Sequence, residues 1–432
     1  MLSPKPRFRF YGSPKNYVTA LTALLTGRIH RGDEIARLEA RLQQRLGKRH
    51  AIAVAQCRVG ICLALKQLLK PGQEVILSPY TIYDVINMVL AAGGKPVFAD
   101  IDPESCHIDL QAVERLIGPD TGGVLVTHLH GATVDTSRFR AVCDAHGLWL
   151  VVDAAQAFGA TSGNAHAGTL GTAGVYSFGR AKNVNGFYGG AVVTDNDDLA
   201  HAIRRDLAAW PEIETWALYK RVLHCLIADI ATMPPLFQLL TFRIFQYGAT
   251  RGVERINKIV DTEDGSTRRD TLPQHYQRRL APLQARIILD QLDDVDSQTE
   301  MRQATAEVYD RELAGVEGVG QPPRRRDRAH IYLAYPIQVA DRWALIKYLM
   351  SRGVDPAAQH YHNTADLACF AEFARDCPNA RGVSKSIVLL PTYPGYGIEE
   401  ARRTARAVRA FFEEELRGKA SSGEALDREY GA

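Results

Sequence analysis

Between residues 50 and 152, short apolar runs rich in β-branched residues alternate with segments of helical spacing, and few folds accept that pattern. The pattern predicts strand 50–55, helix 59–68, strand 74–78, helix 82–92, strand 95–99, helix 109–117, strand 122–127, helix 136–146 and strand 148–152, with further strands near 173–178 and 189–194. Apolar strands joined by helices form a mostly parallel sheet covered on both faces. Upstream, Ile35, Leu38, Leu42 and Leu46 recur at helical spacing behind Asp33 and Glu34, which suit a helix N-terminus. Ligands of such α/β sheets sit beyond the carboxyl ends of the strands, where Gln56, Asp153 and Lys182 fall.

The alternation stops near residue 205. An apolar helical insertion follows, to about residue 272, with its most apolar part at Val222–Phe245. Asp229, Pro234-Pro235 and Arg243 interrupt that part, so no run long enough to span a bilayer survives. Two short helices broken at the prolines are predicted, buried in the domain or at a subunit interface, with membrane contact disfavoured. Residues 261–270 read as an exposed polar loop. A long helix at 281–314 leads to strand 330–338, helix 341–352, strand 387–390 and helix 398–416. The chain therefore divides into a large domain, residues 1–280, a small C-terminal α/β domain, residues 281–417, and a disordered tail, residues 418–432.

Composition removes several classes of function. A net charge of +3 over 432 residues gives no nucleic-acid footprint. The 7 cysteines lack metal-ligand or disulfide-framework spacing, which points to reduced thiols in a cytoplasmic protein. No signal peptide is visible at Met1-Leu2-Ser3-Pro4.

Two segments carry chemistry. In Val151-Val152-Asp153-Ala154-Ala155-Gln156-Ala157-Phe158, an apolar strand ends in an acid; in Tyr176-Ser177-Phe178-Gly179-Arg180-Ala181-Lys182, a strand ends in a hydroxyl and a lysine follows. That order suits pyridoxal 5'-phosphate (PLP). The lysine supplies a Schiff-base amine, the acid keeps the pyridine nitrogen protonated, and the serine can bond phosphate. Taken singly, Asp153 is also a plain loop or capping residue and Lys182 a solvated one.

With these segments, Pro71-Gly72-Gln73-Glu74-Val75-Ile76, Ala92-Gly93-Gly94-Lys95-Pro96-Val97-Phe98-Ala99-Asp100, His128-Leu129-His130-Gly131 and Leu390-Pro391-Thr392-Tyr393-Pro394-Gly395 follow in order. Over roughly residues 10–200 and 275–415 the chain resembles the DegT-type (DegT/StrS) sugar aminotransferases, fold type I PLP enzymes that aminate nucleotide-linked keto sugars. The resemblance implies that Lys182 forms the internal aldimine and shuttles the proton, that Asp153 pairs with the pyridine nitrogen, that Gln156 bonds the ring's phenolic oxygen, and that Ser177 holds phosphate. A dehydratase branch has histidine where Lys182 stands, so lysine favours transamination, with glutamate as the implied donor.

The family's Ser-Gly-Thr phosphate turn is Gln56-Cys57-Arg58 here. Cys57 and Arg58 are expected at the phosphate, on the N-terminus of the next helix, although Arg58 would equally serve a surface ion pair. The ring-stacking aromatic aligns with Ile82, leaving Tyr83 as a candidate neighbour. A Gly-Tyr-Asn-Tyr-Arg motif that reaches phosphate across a homodimer interface reads His275-Tyr276-Gln277-Arg278-Arg279, so Gln277 is the expected substitute. On the substrate side, the resemblance and the added bulk point to His360, Tyr83 and Tyr188. His360-Tyr361-His362 has the look of a metal motif, yet no third ligand is suitably spaced and no metal is expected. The basic run Arg324–Arg328 reads as a solvated loop. Competing readings are transamination of another carbonyl compound, such as a cyclitol, an antibiotic precursor or a lipid-linked intermediate, and a non-catalytic scaffold or regulator of the same fold.

Overall fold

The structure is a computed structural model that describes residues 4–9, 13–251, 267–324 and 327–430. Its central sheet has 7 strands: β1 (His50–Val54), β2 (Glu74–Leu77), β3 (Lys95–Phe98), β4 (Thr121–Thr127), β5 (Trp149–Asp153), β6 (Ala173–Ser177) and β7 (Gly190–Thr194). Their spatial order is β1-β7-β6-β5-β4-β2-β3. Pairing is parallel from β6 through β5, β4 and β2 to β3, while β7 runs antiparallel to both β6 and β1. Strands β4, β6 and β7 are buried along their whole length, as cover on both faces requires.

Helix α1 (Pro14–Leu25) packs beside Phe187, and two helices frame the site: α2 (Cys57–Leu68) and α3 (Tyr83–Ala91). Helix α2 lies directly on the sheet. A Cβ on its Gly60 would sit 2.9 Å from Val192 and 3.0 Å from Val175, so glycine permits that approach.

A second, three-stranded antiparallel sheet places Ile387–Leu390 between Tyr335–Gln338 and Ala357–Ala358, over a core that includes Tyr309, Leu349 and Val408. The short strand His362–Asn363 crosses to pair with Tyr80–Thr81, His362 opposite Thr81. This crossing carries His360 and Tyr361 to the residues that follow β5.

The strand expected at 330–338 is confined to Tyr335–Gln338, because Tyr332 adopts a left-handed φ of 47°. The helix expected at 281–314 is two helices, Pro282–Leu289 and Val295–Glu312. At the break, the Gln291 side chain donates to the Ile287 carbonyl at 2.7 Å. A continuing helix would give that acceptor to the Gln291 amide, which bonds Ile288 instead at 3.0 Å. The last helix, Ile398–Tyr430, runs through residues 418–430 of the stretch read as a disordered tail, where Glu424, Ala425, Leu426, Arg428 and Glu429 favour helix.

The insertion holds α4 (Thr215–Ala231), a helical turn at Pro234–Leu236, a π-helical segment at Phe237–Thr241 and α5 (Phe242–Arg251). Helices α4 and α5 are bent by 67° at the proline break. The expected burial holds for one face only, through Leu218, Cys225, Phe237 and Phe242. The other face is exposed within the chain, because helical spacing fixes which residues share a face and not whether a neighbour covers it. No single helix among the described residues is long and apolar enough to cross a membrane. Residues 261–266 of the polar loop, Arg325 and Arg326 of the basic run, and residues 431–432 lie outside the described residues.

Candidate active site

Parallel pairing sets Asp153, the last residue of β5, opposite Val175 in β6, two residues before Ser177. Asp153 is buried; its Oδ1 accepts the Ala155 amide at 2.9 Å and faces Cys57 Sγ at 3.8 Å. Burial raises its pKa, only partly opposed by the Ala155 amide, Lys182 and Cys57. A carboxylate held in this way gains from a further cation at its free edge.

Lys182 follows β6 on a tight loop. Ala181 before it has φ 58°, a left-handed conformation that costs a residue bearing a Cβ and persists where surroundings impose it. Desolvation lowers the Lys182 pKa, Asp153 and Cys57 pull it back up, and Arg58 lowers it further, with a downward net result. A larger share of this amine is therefore neutral than on a free lysine, and only the neutral form attacks a carbonyl.

Helix α2 starts at Cys57, and its N-cap residue Gln56 makes no side-chain capping bond. That leaves a positive helix end open toward an anion. A Cβ on Gly190 would lie 2.8 Å from the Cys57 amide nitrogen, so only glycine lets β7 run against the helix start. Ser177 is buried near this end, and its Oγ accepts the Gly179 amide at 3.3 Å.

Arg58 is not free. Its guanidinium pairs with Asp84 and donates to the Tyr276 hydroxyl at 3.3 Å. Asp84 is 1% exposed and also accepts from Arg269 at 2.8 Å, Tyr276 at 3.2 Å and Asn87 at 3.0 Å. Burial works against the Arg58 charge, but Asp84 and Tyr276 more than offset it, so its pKa is raised. Two arginines on one carboxylate leave an excess positive charge beside the start of α2.

On the opposite side, Gln156 Oε1 accepts the His130 amide at 2.8 Å, and Gln156 Nε2 donates to the Tyr361 hydroxyl. The Tyr361 ring meets Tyr80 edge-on at 5.7 Å and stacks on His130 at 6.5 Å. Gln359 Nε2 lies 2.8 Å from His130 Nε2. Burial lowers the His360 pKa to about 4, with Lys182 and His362 adding to the effect, so a neutral imidazole stands within the electrostatic reach of Lys182.

The remaining sequence candidates lie at the edges. Tyr83 is buried as the first residue of α3, after Ile82. Tyr188 has φ 76°, between Phe187 at 54° and Gly189 at 141°, and its ring lies beneath Arg221 at 4.6 Å and Arg180 at 5.3 Å. Gln277 donates to the Leu272 carbonyl at 2.9 Å, and within one chain the 275–279 segment reaches the site through Tyr276. Sequence reasoning missed Asp84, Arg269, Tyr361 and Gln359. Asp84 reads as a dipole-favouring acid in a first helical turn, and its partner Arg269 stands far along the chain in the polar loop.

The sheet order, the antiparallel β7 and the lysine loop after β6 define a fold type I α/β transferase. Sugar aminotransferase CalS13 from Micromonospora echinospora superposes with TM-score 0.72 at 25% identity, covering 94% of this chain and 99% of that one. DesV from S. venezuelae, solved in complex with a ketimine intermediate, gives 0.71 at 25% identity, covering 92% and 94%. The Bacillus subtilis spore coat polysaccharide biosynthesis protein SpsC is 26% identical over 425 residues, 95% of this chain and 98% of its own length. Residues 14–214 and 251–409 match the DegT/DnrJ/EryC1/StrS aminotransferase family, and the chain belongs to it. It is an aminotransferase enzyme.

Proposed function

We propose that the chain transfers an amino group from glutamate to the keto carbon of a nucleotide-linked sugar, using pyridoxal 5'-phosphate held by Lys182. The observation that carries this reading is a buried carboxylate, Asp153, and a lysine of lowered pKa, Lys182, within electrostatic reach of each other at the open start of α2. These residues fit the cofactor: a carboxylate short of cations, an amine enriched in its neutral form, and a helix end that a Cβ on Gly190 would crowd. When bound, the cofactor supplies an electron sink for the carbon that carries the nitrogen. Asp153 holds the proton on the pyridine nitrogen. Gln156, held by His130 and Tyr361, would bond the phenolic oxygen through its amide. Cys57 and Arg58 on α2, with Ser177, hold phosphate, and Gln277 of a second subunit completes that end in a homodimer. Lys182 Nζ would take up and return the proton that moves during the transfer. His360, Tyr83 and Tyr188 border the substrate.

The names of CalS13 and SpsC support a sugar substrate. Residues 1–280 act as the cofactor-binding unit, and 281–417 as the unit that brings His360 over it. All 7 cysteines are free, which suits the cytoplasm. One observation favours a second reading, a lipid-linked keto substrate: the exposed apolar face of α4 and α5.

The deciding experiment begins with the spectrum of the purified protein loaded with PLP, which should absorb at about 410–430 nm. Borohydride should fix the cofactor on Lys182, as read by peptide mass. A panel of nucleotide-linked keto sugars with glutamate should release 2-oxoglutarate, and Lys182→Ala should abolish it. Turnover of Lys182→Ala within about tenfold of wild type would remove Lys182 from its role, since ~1.4 kcal/mol is far less than the loss of a covalent anchor.

A further inference from the structure

Helix α4 carries two apolar stripes. Leu218, Val222 and Cys225 recur at helical spacing on the face packed into the chain. Trp216, Leu223, Ile227 and Ile230 recur at the same spacing on the face turned away, with Trp216 60% and Ile227 58% exposed. A helix covered on one side needs only one apolar stripe. The pattern continues beyond the proline break. Leu236, Leu240, Ile244 and Tyr247 lie outward, and Leu239 at 81% is the most exposed large apolar residue described. Contiguous exposed apolar surface of this kind marks a surface that docks on something.

Charge identifies the occupant. From Thr215 to Arg251 the lysines and arginines are Lys220, Arg221, Arg243 and Arg251, and the one acid is Asp229; Arg221 turns inward onto the Tyr188 ring, which leaves Lys220, Arg243 and Arg251 as the exposed charges. Asp229 is buried and accepts the Tyr17 hydroxyl at 2.5 Å, so it offers nothing to a partner. A second copy of the chain docked through a two-fold axis would set this basic, apolar face against itself. An anionic bilayer surface complements it: Lys220, Arg243 and Arg251 face lipid headgroups and the apolar side chains enter the acyl boundary.

Geometry fixes the depth. Helix α4, at 17 residues, is about 25 Å long, short of a hydrocarbon core of about 30 Å, and the chain bends by 67° between Ala231 and Pro234, so α4 and the helical stretch after it do not line up as one straight span. The family match also leaves out residues 215–250, so this pair of helices is an addition to the shared aminotransferase frame.

We propose that α4 and α5 form an interfacial hairpin that seats the enzyme on an anionic phospholipid bilayer without crossing it. The test is flotation of the full-length, PLP-loaded protein with vesicles of phosphatidylcholine alone, and with vesicles containing about a quarter phosphatidylglycerol. Expected are at least tenfold more bound protein on the anionic vesicles and loss of binding in high salt. Leu239→Ser/Leu240→Ser should lose most binding, while its thermal midpoint, sedimentation state and turnover of a soluble keto sugar stay at wild-type values. Lys220→Glu/Arg243→Glu should abolish the anionic preference with the apolar face intact. Equal binding to both vesicle types, or none, overturns the proposal. So does an Leu239→Ser/Leu240→Ser protein that sediments as a smaller assembly than wild type, because the face would then be an interface between copies.

Discussion

Replacing Asp84 with asparagine tests whether the arginine cluster beside α2 is held by one buried charge. The substitution keeps the side-chain shape and removes the negative charge that four groups share: Arg58, Arg269, Tyr276 and Asn87. Breaking a fully buried ion pair costs about 3–5 kcal/mol, because the surviving charge stays desolvated. Here the Arg58 and Arg269 side chains retain 31% and 30% of their accessible surface, so water recovers part of that loss. About 2–3 kcal/mol of lost stability is therefore expected for Asp84→Asn. Urea denaturation at fixed protein and cofactor concentration reads it directly. Repeating the measurement in an Arg269→Ala background separates charge pairing from packing. If Arg269 shares the carboxylate, Asp84→Asn should cost at least about 1 kcal/mol less there. A loss below about 0.5 kcal/mol, or an equal loss in both backgrounds, would refute the shared-charge account.

Three further outcomes follow from the same structure. Asp153→Asn should retain detectable cofactor while turnover falls at least about a hundredfold, or ~2.7 kcal/mol; near-normal turnover would mean that another group keeps the ring protonated. Burial lowers His128 and His130 to about 3 and His360 to about 4, against 6.5 for the unfolded chain, so acid protonates the unfolded state first. Stability contributed by these rings should be lost as pH falls below 6.5 and level off near the folded values, with a slope of roughly 1.4 kcal/mol per pH unit per ring, and a urea midpoint unchanged between about pH 7 and pH 5 would contradict it. Mixing Lys182→Ala with a Gln277/Arg278/Arg279 triple-alanine protein under subunit exchange should restore part of the activity if partners share sites, and no recovery after demonstrated exchange excludes that arrangement.

What the sequence discloses here depends on how far apart the interacting residues stand along the chain. Asp153 and Lys182 end or follow adjacent strands whose apolar runs can be recognised locally, so their convergence follows from parallel pairing alone. Asp84 and Arg269 meet across a separation of 185 residues, and nothing local to either marks the other. The same applies to Gln156 and Tyr361, 205 residues apart, whose contact depends on His362 pairing with Thr81. The phosphate end shows the consequence. Read locally, Gln56-Cys57-Arg58 has lost the hydroxyls of the family's turn. In the fold, Arg58 gains a buried counter-ion that Arg269 shares, and the start of α2 carries more positive charge than its own residues supply. The insertion is the opposite case. Its apolar run and the Pro234-Pro235 pair are enough to predict two helices and their break, but they do not say what covers each apolar face. Only the folded chain separates the stripe with Leu218 and Cys225, packed against α1 and Phe187, from the stripe with Ile227 and Ile230, which the chain leaves to its surroundings.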